Sequence, residues 1–362
     1  MTTVLIAGGG TGGHLMPALA IATELRSRGR DVVLVGATRG VEARLLPSRD
    51  FRYHLLASEP IYRRQWWKNF RWPLLALRLF RQLDRVLDQE GPALVLGTGG
   101  YAAGPVVWRA AARGIPTAIL EQDAVPGLAS RLMARRARHV YLGQPETRTR
   151  LPTAANAEVF VTGCPITPPD WSLKPSAPER FGLDRSQPVV LITGGSQGAL
   201  ALNQVVSDWI GQGAGAGLQL IWATGALSYE KFRPLHRPPA VQVFEFLDPI
   251  APAYAAADLA ITRAGMMTIA ELCAWGLPCI LVPLPTAAAD HQSRNAAVMA
   301  QAGAAIHLPQ AVLTADRLDQ EVRALLGDRQ RREAMAAAAR ARGKPGATVE
   351  IVTLLERLTG GS

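Results

Sequence analysis

The sequence predicts an α/β chain of two Rossmann-like, doubly wound domains facing across a cleft. Three observations predict it. Short apolar strands alternate with helical stretches through both halves of the chain. A glycine-rich strand-to-helix turn occurs in each half, at Gly8–His14 (GGGTGGH) and at Thr193–Ala199 (TGGSQGA). Between the halves lies GCPITPPDWSLKPSAPERFG, from Gly163 to Gly182, whose five prolines forbid regular structure.

In order, the first half offers strands at Val4–Ala7, Val32–Val35, His54–Ala57, Leu94–Leu96, Thr117–Leu120, Val140–Leu142 and Val159–Thr162. Helical patterns run from about Pro17 to Arg28, near Leu74–Leu87 and near Gly127–Arg136, and Val106–Arg113 is a further apolar stretch. The alternation restarts after the prolines: Val189–Ile192, Leu218–Trp222, Val241–Phe244, Leu259–Ile261, Cys279–Val282 and Ala305–Leu308, each followed by a helical or loop segment. The Ala/Arg-rich tail from about Ala315 to Leu358 reads as helical, and Val349–Leu358 is expected to pack back across the first domain. This places an N-terminal domain at 1–163, a linker at 164–187, a second domain at 188–345 and a returning helix at 346–362.

Composition limits the function classes. A chain of 362 residues has room for two α/β domains, each burying its own core, and 48% hydrophobic with 19% charged residues reads as soluble and globular. Cys164, Cys273 and Cys279 form no CxxC pair and suggest neither a disulfide framework nor a zinc site, which suits a reducing cytoplasm. No basic leader precedes the first strand, and no apolar run approaches the ~20 residues of a membrane span. The net charge of +10 attracts nucleic acid, anionic headgroups or phosphorylated substrates, and composition cannot choose among them.

The loops carry the chemistry. In Val190–Leu200 (VLITGGSQGAL) a strand runs into glycines and then a helix, whose first N–H groups and dipole suit a phosphate, with the Ser196 hydroxyl as a further donor. It is neither a Walker A loop nor a GxGxxG fingerprint, so a turn without a ligand stands beside the phosphate reading. Gly8, Gly10 and Gly13 do satisfy GxGxxG, but Val35–Arg39 at the end of the next strand holds no acid for a ribose, which weighs against a dehydrogenase. His14 at the mouth of that helix has its cationic form disfavoured by the dipole, leaving an imidazole that accepts a proton. The bland reading is a histidine capping a loop. A third turn, Gly97-Thr98-Gly99-Gly100-Tyr101, suggests phosphate handling in both domains. Glu121-Gln122-Asp123 ends another strand, where ligands gather in open sheets, although each residue alone reads as loop polarity.

In the second half, Arg263 to Glu271 (RAGMMTIAE) follows a strand. Glu271, one turn into the helix, is placed to accept two hydrogen bonds from a ribose diol, or simply to complement the dipole. Asp290–Ala296 (DHQSRNA) opens another polar helix start, and no DxD triplet occurs, so a metal-carried nucleotide diphosphate is not supported.

Ile61–Leu83 stands apart: Arg63, Arg64, Lys68, Arg71, Arg78 and Arg81 with Tyr62, Trp66, Trp67, Phe70, Trp72 and Phe80, and no acid. This is the composition of an interfacial segment on anionic lipid. A nucleic-acid surface and a buried helix with a basic face are the alternatives. Arg131, Arg135, Arg136 and Arg138 extend the basic character.

In order and spacing, GGGTGGH, GTGGY (Gly97–Tyr101), EQDAVPGL (Glu121–Leu128), GGSQGA (Gly194–Ala199), TRAGMMTIAEL (Thr262–Leu272) and DHQSRNA resemble the MurG family. These are peptidoglycan N-acetylglucosaminyltransferases of glycosyltransferase family 28 with the two-domain GT-B fold, and the resemblance covers essentially the whole chain. It implies inverting transfer of GlcNAc from UDP-GlcNAc to the C4 hydroxyl of MurNAc in lipid I, giving lipid II, without a cofactor or a metal. By resemblance Thr11, Gly12 and Gly13 meet the donor, Asp123 and Ser196 belong to the donor site, and Leu247 holds uracil through its backbone. Met266, Met267, Thr268, Ile269, Ala270 and Glu271 bind diphosphate and ribose, Gln292 binds the sugar, and His14 is the general base. Gly97, Thr98, Gly99, Gly100 and Tyr101 fall to the acceptor pyrophosphate, and Arg63, Arg64, Trp66, Trp67, Lys68, Phe70, Arg71 and Trp72 to the membrane patch.

Two positions depart from the family pattern: Asp123 stands for Asn, and Thr167 for the Arg ending GNPVR. Loss of that arginine removes a charge-assisted contact worth about 1.5–3 kcal/mol; Arg263 and Arg294 are the candidates to substitute. The implied partners are UDP-GlcNAc, lipid I and an anionic membrane surface on the cytoplasmic face of the bacterial inner membrane, with room for other cell-wall synthesis proteins and no nucleic acid. The competing readings are another GT-B transferase acting on a membrane lipid and a weakly catalytic nucleotide-sugar-binding scaffold.

Overall fold

The computed structural model describes residues 2–59, 72–195, 199–213 and 215–360. The chain forms two compact α/β units, residues 1–167 with 346–362, and residues 168–345.

Unit 1 begins with β1 (Thr3–Gly8), α1 (Gly12–Ser27), β2 (Asp31–Ala37), α2 (Glu42–Leu45), β3 (Arg52–Leu56) and α3 (Trp72–Glu90). It continues with β4 (Leu94–Gly99), α4 (Gly100–Ala112), β5 (Thr117–Glu121), α5 (Leu128–Ala134), β6 (His139–Leu142) and β7 (Glu158–Phe160). The seven strands are all parallel in the order β3-β2-β1-β4-β5-β6-β7. A parallel sheet buries both faces, so its central strands read as continuous apolar runs. Side chains alternate in β1: Val4 and Ile6 pack with α1, while Leu5 and Ala7 pack with α3 and α4. The apolar stretch Val106–Arg113 lies in and just after α4.

Unit 2 carries α6 (Ala177–Arg180), β8 (Val189–Thr193), α7 (Leu200–Gly211), β9 (Gln219–Ala223), α8 (Tyr229–Phe232), β10 (Val241–Phe244) and α9 (Ala251–Ala256). Then follow β11 (Leu259–Thr262), α10 (Met266–Trp275), β12 (Cys279–Leu281), α11 (His291–Gln301), β13 (Ile306–His307), α12 (Ala315–Gly327) and α13 (Arg329–Arg342). Its parallel sheet has the order β10-β9-β8-β11-β12-β13. Trp209, Trp222 and Phe232 are its largest fully buried side chains.

The helical tail is built of three helices. Asp328 ends α12 and caps α13 by accepting from the Arg331 N–H at 2.9 Å. After Gly343–Gly346 the chain joins unit 1 as α14 (Ala347–Gly360), whose Ile351, Val352 and Leu355 are buried with Leu15 and Leu25 of α1. Glu356 of α14 pairs with Arg28 at 2.9 Å and Arg30 at 3.0 Å.

The proline-rich stretch departs from expectation. It forms a helical turn at Trp171–Leu173 and the short α6, because Pro178 falls in the first turn, where a missing N–H costs nothing. Within it Ala177 is buried; just beyond it Leu183 is buried and the Gln219 amide brackets Asp184, accepting from its N–H and donating to its carbonyl, each at 2.7 Å.

Candidate functional site

In each unit the motif loops leave the carboxyl ends of parallel strands around the point where strand order reverses, between β1 and β4 in unit 1 and between β8 and β11 in unit 2. That is where open α/β sheets hold ligands.

In unit 1 the first two glycine-rich loops are built into each other. The His14 imidazole lies 3.2 Å through Nδ1 from the Thr98 carbonyl oxygen. A carbonyl only accepts, so Nδ1 carries the proton and Nε2 the lone pair in the neutral ring. The same carbonyl accepts from Gln122 Nε2 at 2.9 Å, and the Thr98 hydroxyl donates to the His14 carbonyl at 2.9 Å. Thr98 therefore grips His14 at both ring and backbone. A Cβ on Gly99 (φ +104°) would lie 2.5 Å from His14 Nδ1, and one on Gly100 (φ +82°) 1.9 Å from the Gly9 carbonyl oxygen. These two glycines are accounted for by the close approach of the His14 loop, whatever else they bind. A Cβ on Gly10 (φ +91°) would lie 2.7 Å from Tyr101 Cε1, and the Tyr101 carbonyl accepts from Ser58 Oγ at 3.1 Å. Thr11 precedes α1 with an extended backbone; Gly12 and Gly13 form its first turn.

The first acid after β2 is Glu42, five residues beyond the strand and fully buried, so it does not take the ribose-binding place. It faces inward. Its carboxylate accepts from the Gly10 N–H with both oxygens, at 3.0 and 2.8 Å, and from the Ala37 N–H at 2.8 Å. Gly9, Gly36 and Gly40 all border it, and a Cβ on any of them would come within 2.1 to 2.3 Å of a Glu42 atom. A protein carboxylate thus takes the Gly10 amide that a dinucleotide's phosphate would use. Sequence reasoning missed Glu42; the signal present was two small residues, Gly36 and Gly40, beside an acid in a loop otherwise free of acids.

Glu121, 3% exposed, accepts from the Asp123 N–H at 3.0 Å and the Gly127 N–H at 3.3 Å. Burial, with the nearby Asp123 charge second, pushes its carboxyl up to about 7. The Asp123 carbonyl accepts from the Thr147 hydroxyl at 2.8 Å, which pins the loop carrying the Asp123 side chain.

In unit 2, Gly194 and Gly195 (φ +84°) follow β8; Ser196, Gln197 and Gly198 lie outside the described residues. Asn203 on α7 is fully buried, donates to the Thr224 carbonyl at 2.8 Å and accepts from Trp222 Nε1 at 3.0 Å, so it anchors the helix after the loop. Met266 to Glu271 form the first part of α10, with Gly265 as its N-cap. The Asn295 amide reaches the Ala264 carbonyl at 3.3 Å, so α11 holds the start of α10. Gln292, in the first turn of α11, accepts from the Leu284 N–H at 2.9 Å. Leu247 follows β10, half-buried, beside the exposed Phe246.

Arg263 has a different employment from the one considered above. Nη1 donates to the Val282 and Pro283 carbonyls, each at 3.1 Å, and Nη2 to Gln310 at 2.7 Å, with Nε buried and unbonded. It is a strut under the loop after β12, and burial without a carboxylate lowers its pKa.

Arg63, Arg64, Trp66, Trp67, Lys68, Phe70 and Arg71 lie outside the described residues, and of Trp72 only the backbone, as the first residue of α3, is described. The neighbouring helices show what the composition hid. Leu77, Trp108, Leu128 and Leu132 are exposed on α3, α4 and α5. The Arg136 guanidinium sits 5.2 Å above the Trp108 ring, and Arg78 and Arg81 on α3, Arg131 on α5 and Arg135 just after it are also exposed.

Comparison with known proteins agrees with this architecture. Residues 4–142 match the glycosyltransferase family 28 N-terminal domain and residues 189–351 the family 28 C-terminal domain. Relatives named UDP-N-acetylglucosamine–N-acetylmuramyl-(pentapeptide) pyrophosphoryl-undecaprenol N-acetylglucosamine transferase include that of Acidithiobacillus ferrooxidans, 40% identical over 99% of this chain and 98% of its own length. That of Moorella thermoacetica is 38% identical over 97% and 98%. The crystal structure of Acinetobacter baumannii MurG superimposes with a TM-score of 0.77 at 31% identity, covering 99% of this chain and 100% of that one. A glycosyltransferase of kitacinnamycin, 20% identical with a TM-score of 0.70 over 98% of each chain, shares the fold.

Proposed function

The chain belongs to glycosyltransferase family 28, and on that premise we propose that it transfers GlcNAc from UDP-GlcNAc to the C4 hydroxyl of MurNAc in lipid I, with inversion, producing lipid II. The observation that carries the chemical reading is the His14–Thr98 pair. With Nδ1–H tied to a carbonyl, Nε2 is the basic nitrogen, and it takes the proton of the attacking hydroxyl as the new glycosidic bond forms. The bond from the anomeric carbon to the diphosphate oxygen breaks, and UDP leaves with the electron pair.

The donor falls to unit 2. The first-turn N–H groups of α10 and the Gly194–Gly198 loop meet the diphosphate, Glu271 the ribose, and the amide nitrogen of Gln292 a sugar hydroxyl. The Leu247 backbone reads the uracil edge, and Phe246 offers it an aromatic face. Thr11, Gly12 and Gly13 contact the donor from the start of α1, and Asp123 borders the same sugar. Of Gly97–Tyr101, Gly100 and Tyr101 open α4 and offer helix N-terminal amides to the acceptor's pyrophosphate, while Gly97 and Thr98 are buried at the end of β4. Among the described residues no helix is long and apolar enough to cross a membrane. The exposed apolar side chains of α3–α5, with arginines exposed on the same helices, support peripheral binding to an anionic bilayer on the cytoplasmic face, where a polyprenyl-linked acceptor resides.

The test is a radiolabel assay with UDP-GlcNAc and a lipid I analogue. Folded protein transfers the label, and His14→Ala lowers turnover ~10²-fold or more. Binding of UDP-GlcNAc without transfer would support the scaffold reading instead, and transfer to other lipid acceptors but not to the lipid I analogue would support a different lipid glycosyltransferase.

A further inference from the structure

Tyr254 is an interior residue with a polar end. It lies on α9, 3% exposed, and its ring neighbours Trp275 at 6.4 Å between centroids, which in turn meets Trp171 at 5.1 Å. A buried tyrosine hydroxyl needs a partner, and this one donates to Glu271 Oε2 at 2.7 Å. Glu271 is half-buried on α10, and Tyr254 is the one side-chain donor to it among the described residues. No cation there pairs with it. Burial holds the carboxyl's pKa above its ordinary value and the Tyr254 bond offsets part of that rise, while the phenol is held well above its ordinary range and stays a donor.

A glutamate on a helix turns freely about its last bond unless something holds its plane. A donor on Oε2 from a rigid, buried ring does that. It leaves Oε1 and the second lone pair of Oε2 in fixed directions, the arrangement that two adjacent hydroxyls on a five-membered ring require of one carboxylate. We propose that Tyr254 is a positioning residue of the donor site, whose phenol sets the plane of the Glu271 carboxylate and so selects nucleoside diphosphates that carry both ribose hydroxyls. The proposal rests on the ribose reading of Glu271.

The experiment compares calorimetric binding of UDP and of 2′,3′-dideoxy-UDP to the full chain and to Tyr254→Phe, Glu271→Gln and the double variant. The parent prefers UDP, and Glu271→Gln abolishes the preference. Tyr254→Phe weakens UDP about tenfold and leaves dideoxy-UDP unchanged, so retained dideoxy-UDP binding also shows that the variant is folded. In the Glu271→Gln background the tyrosine change adds nothing. The low-pH limb of UDP binding also moves upward in Tyr254→Phe, because the carboxylate has lost its donor. If Tyr254→Phe weakens both nucleotides equally, or neither, while Glu271→Gln removes the preference, the positioning role is overturned and the ribose reading stands. If Glu271→Gln keeps the full preference for UDP, the ribose reading itself fails, and the role of Tyr254 with it.

Discussion

Replacing Glu42 with glutamine probes the least visible part of unit 1. The carboxylate accepts from the Gly10 N–H through both oxygens and from the Ala37 N–H through Oε1, and it is fully buried. Glutamine has nearly the same volume, so no cavity term enters. Its single oxygen can keep Oε1's place between Gly10 and Ala37. Its NH2 then faces the Gly10 N–H, donor against donor, and finds no acceptor in the position of Oε2. Losing a hydrogen bond to a charged acceptor in the interior costs about 1.5–3 kcal/mol. For a unit of this size, at about 2–4 °C per kcal/mol, the melting temperature falls by about 3–12 °C. The damage reaches the chemistry as well, since Gly10 leads into the first turn of α1, where Thr98 holds His14. A displacement of that ring by a fraction of an ångström lowers turnover by about tenfold or more. Thermal denaturation followed by circular dichroism reads the first effect and the radiolabel transfer assay the second. A variant that melts within about 1 °C of the parent and turns over at the parent's rate would refute the account of Glu42 as the internal anion of this loop.

Other outcomes follow from the same geometry. Glu121 has a folded pKa raised from 4.5 to about 7, so the folded state holds a proton that the unfolded chain releases. Its stabilising contribution is present below pH 4.5 and lost as pH rises through 7, about 3 kcal/mol in all; urea titrations from pH 4.5 to 8 should show this decline, and Glu121→Gln should flatten it. Gly99→Ala forces a Cβ to within 2.5 Å of His14 Nδ1 from a φ of +104°, so turnover should fall about tenfold or more, read in the transfer assay, while calorimetry shows UDP affinity unchanged. At the surface, sedimentation with anionic vesicles should be reversed by salt and abolished by changing Arg63, Arg64 and Lys68 together to Glu, with UDP-GlcNAc affinity retained. Trp108→Glu should weaken vesicle binding by placing a charge among the exposed apolar side chains of α3–α5, and undiminished sedimentation would exclude that face.

The sequence by itself determined the class of fold, the family and the order of the motif loops, because these depend on local pattern. Apolar runs such as Val189–Ile192 make central parallel strands, and glycines after a strand open a helix N-terminus, with no long-range information needed. The tertiary structure decided which groups face which. Glu42 reaches Gly10 across 32 residues and Thr98 reaches His14 across 84, so neither pairing leaves a periodic trace. Arg263 was legible as a basic residue beside a glycine-rich turn, but only the packing of the loop after β12 shows its donors engaged by carbonyls. The proline-rich stretch misled for a related reason. A proline forbids an interior helical position but not a first-turn one, and burial of Ala177 within unit 2 decided the matter. Periodicity records which way a residue faces relative to its own element. The contact it makes there is set by the other elements packed against it.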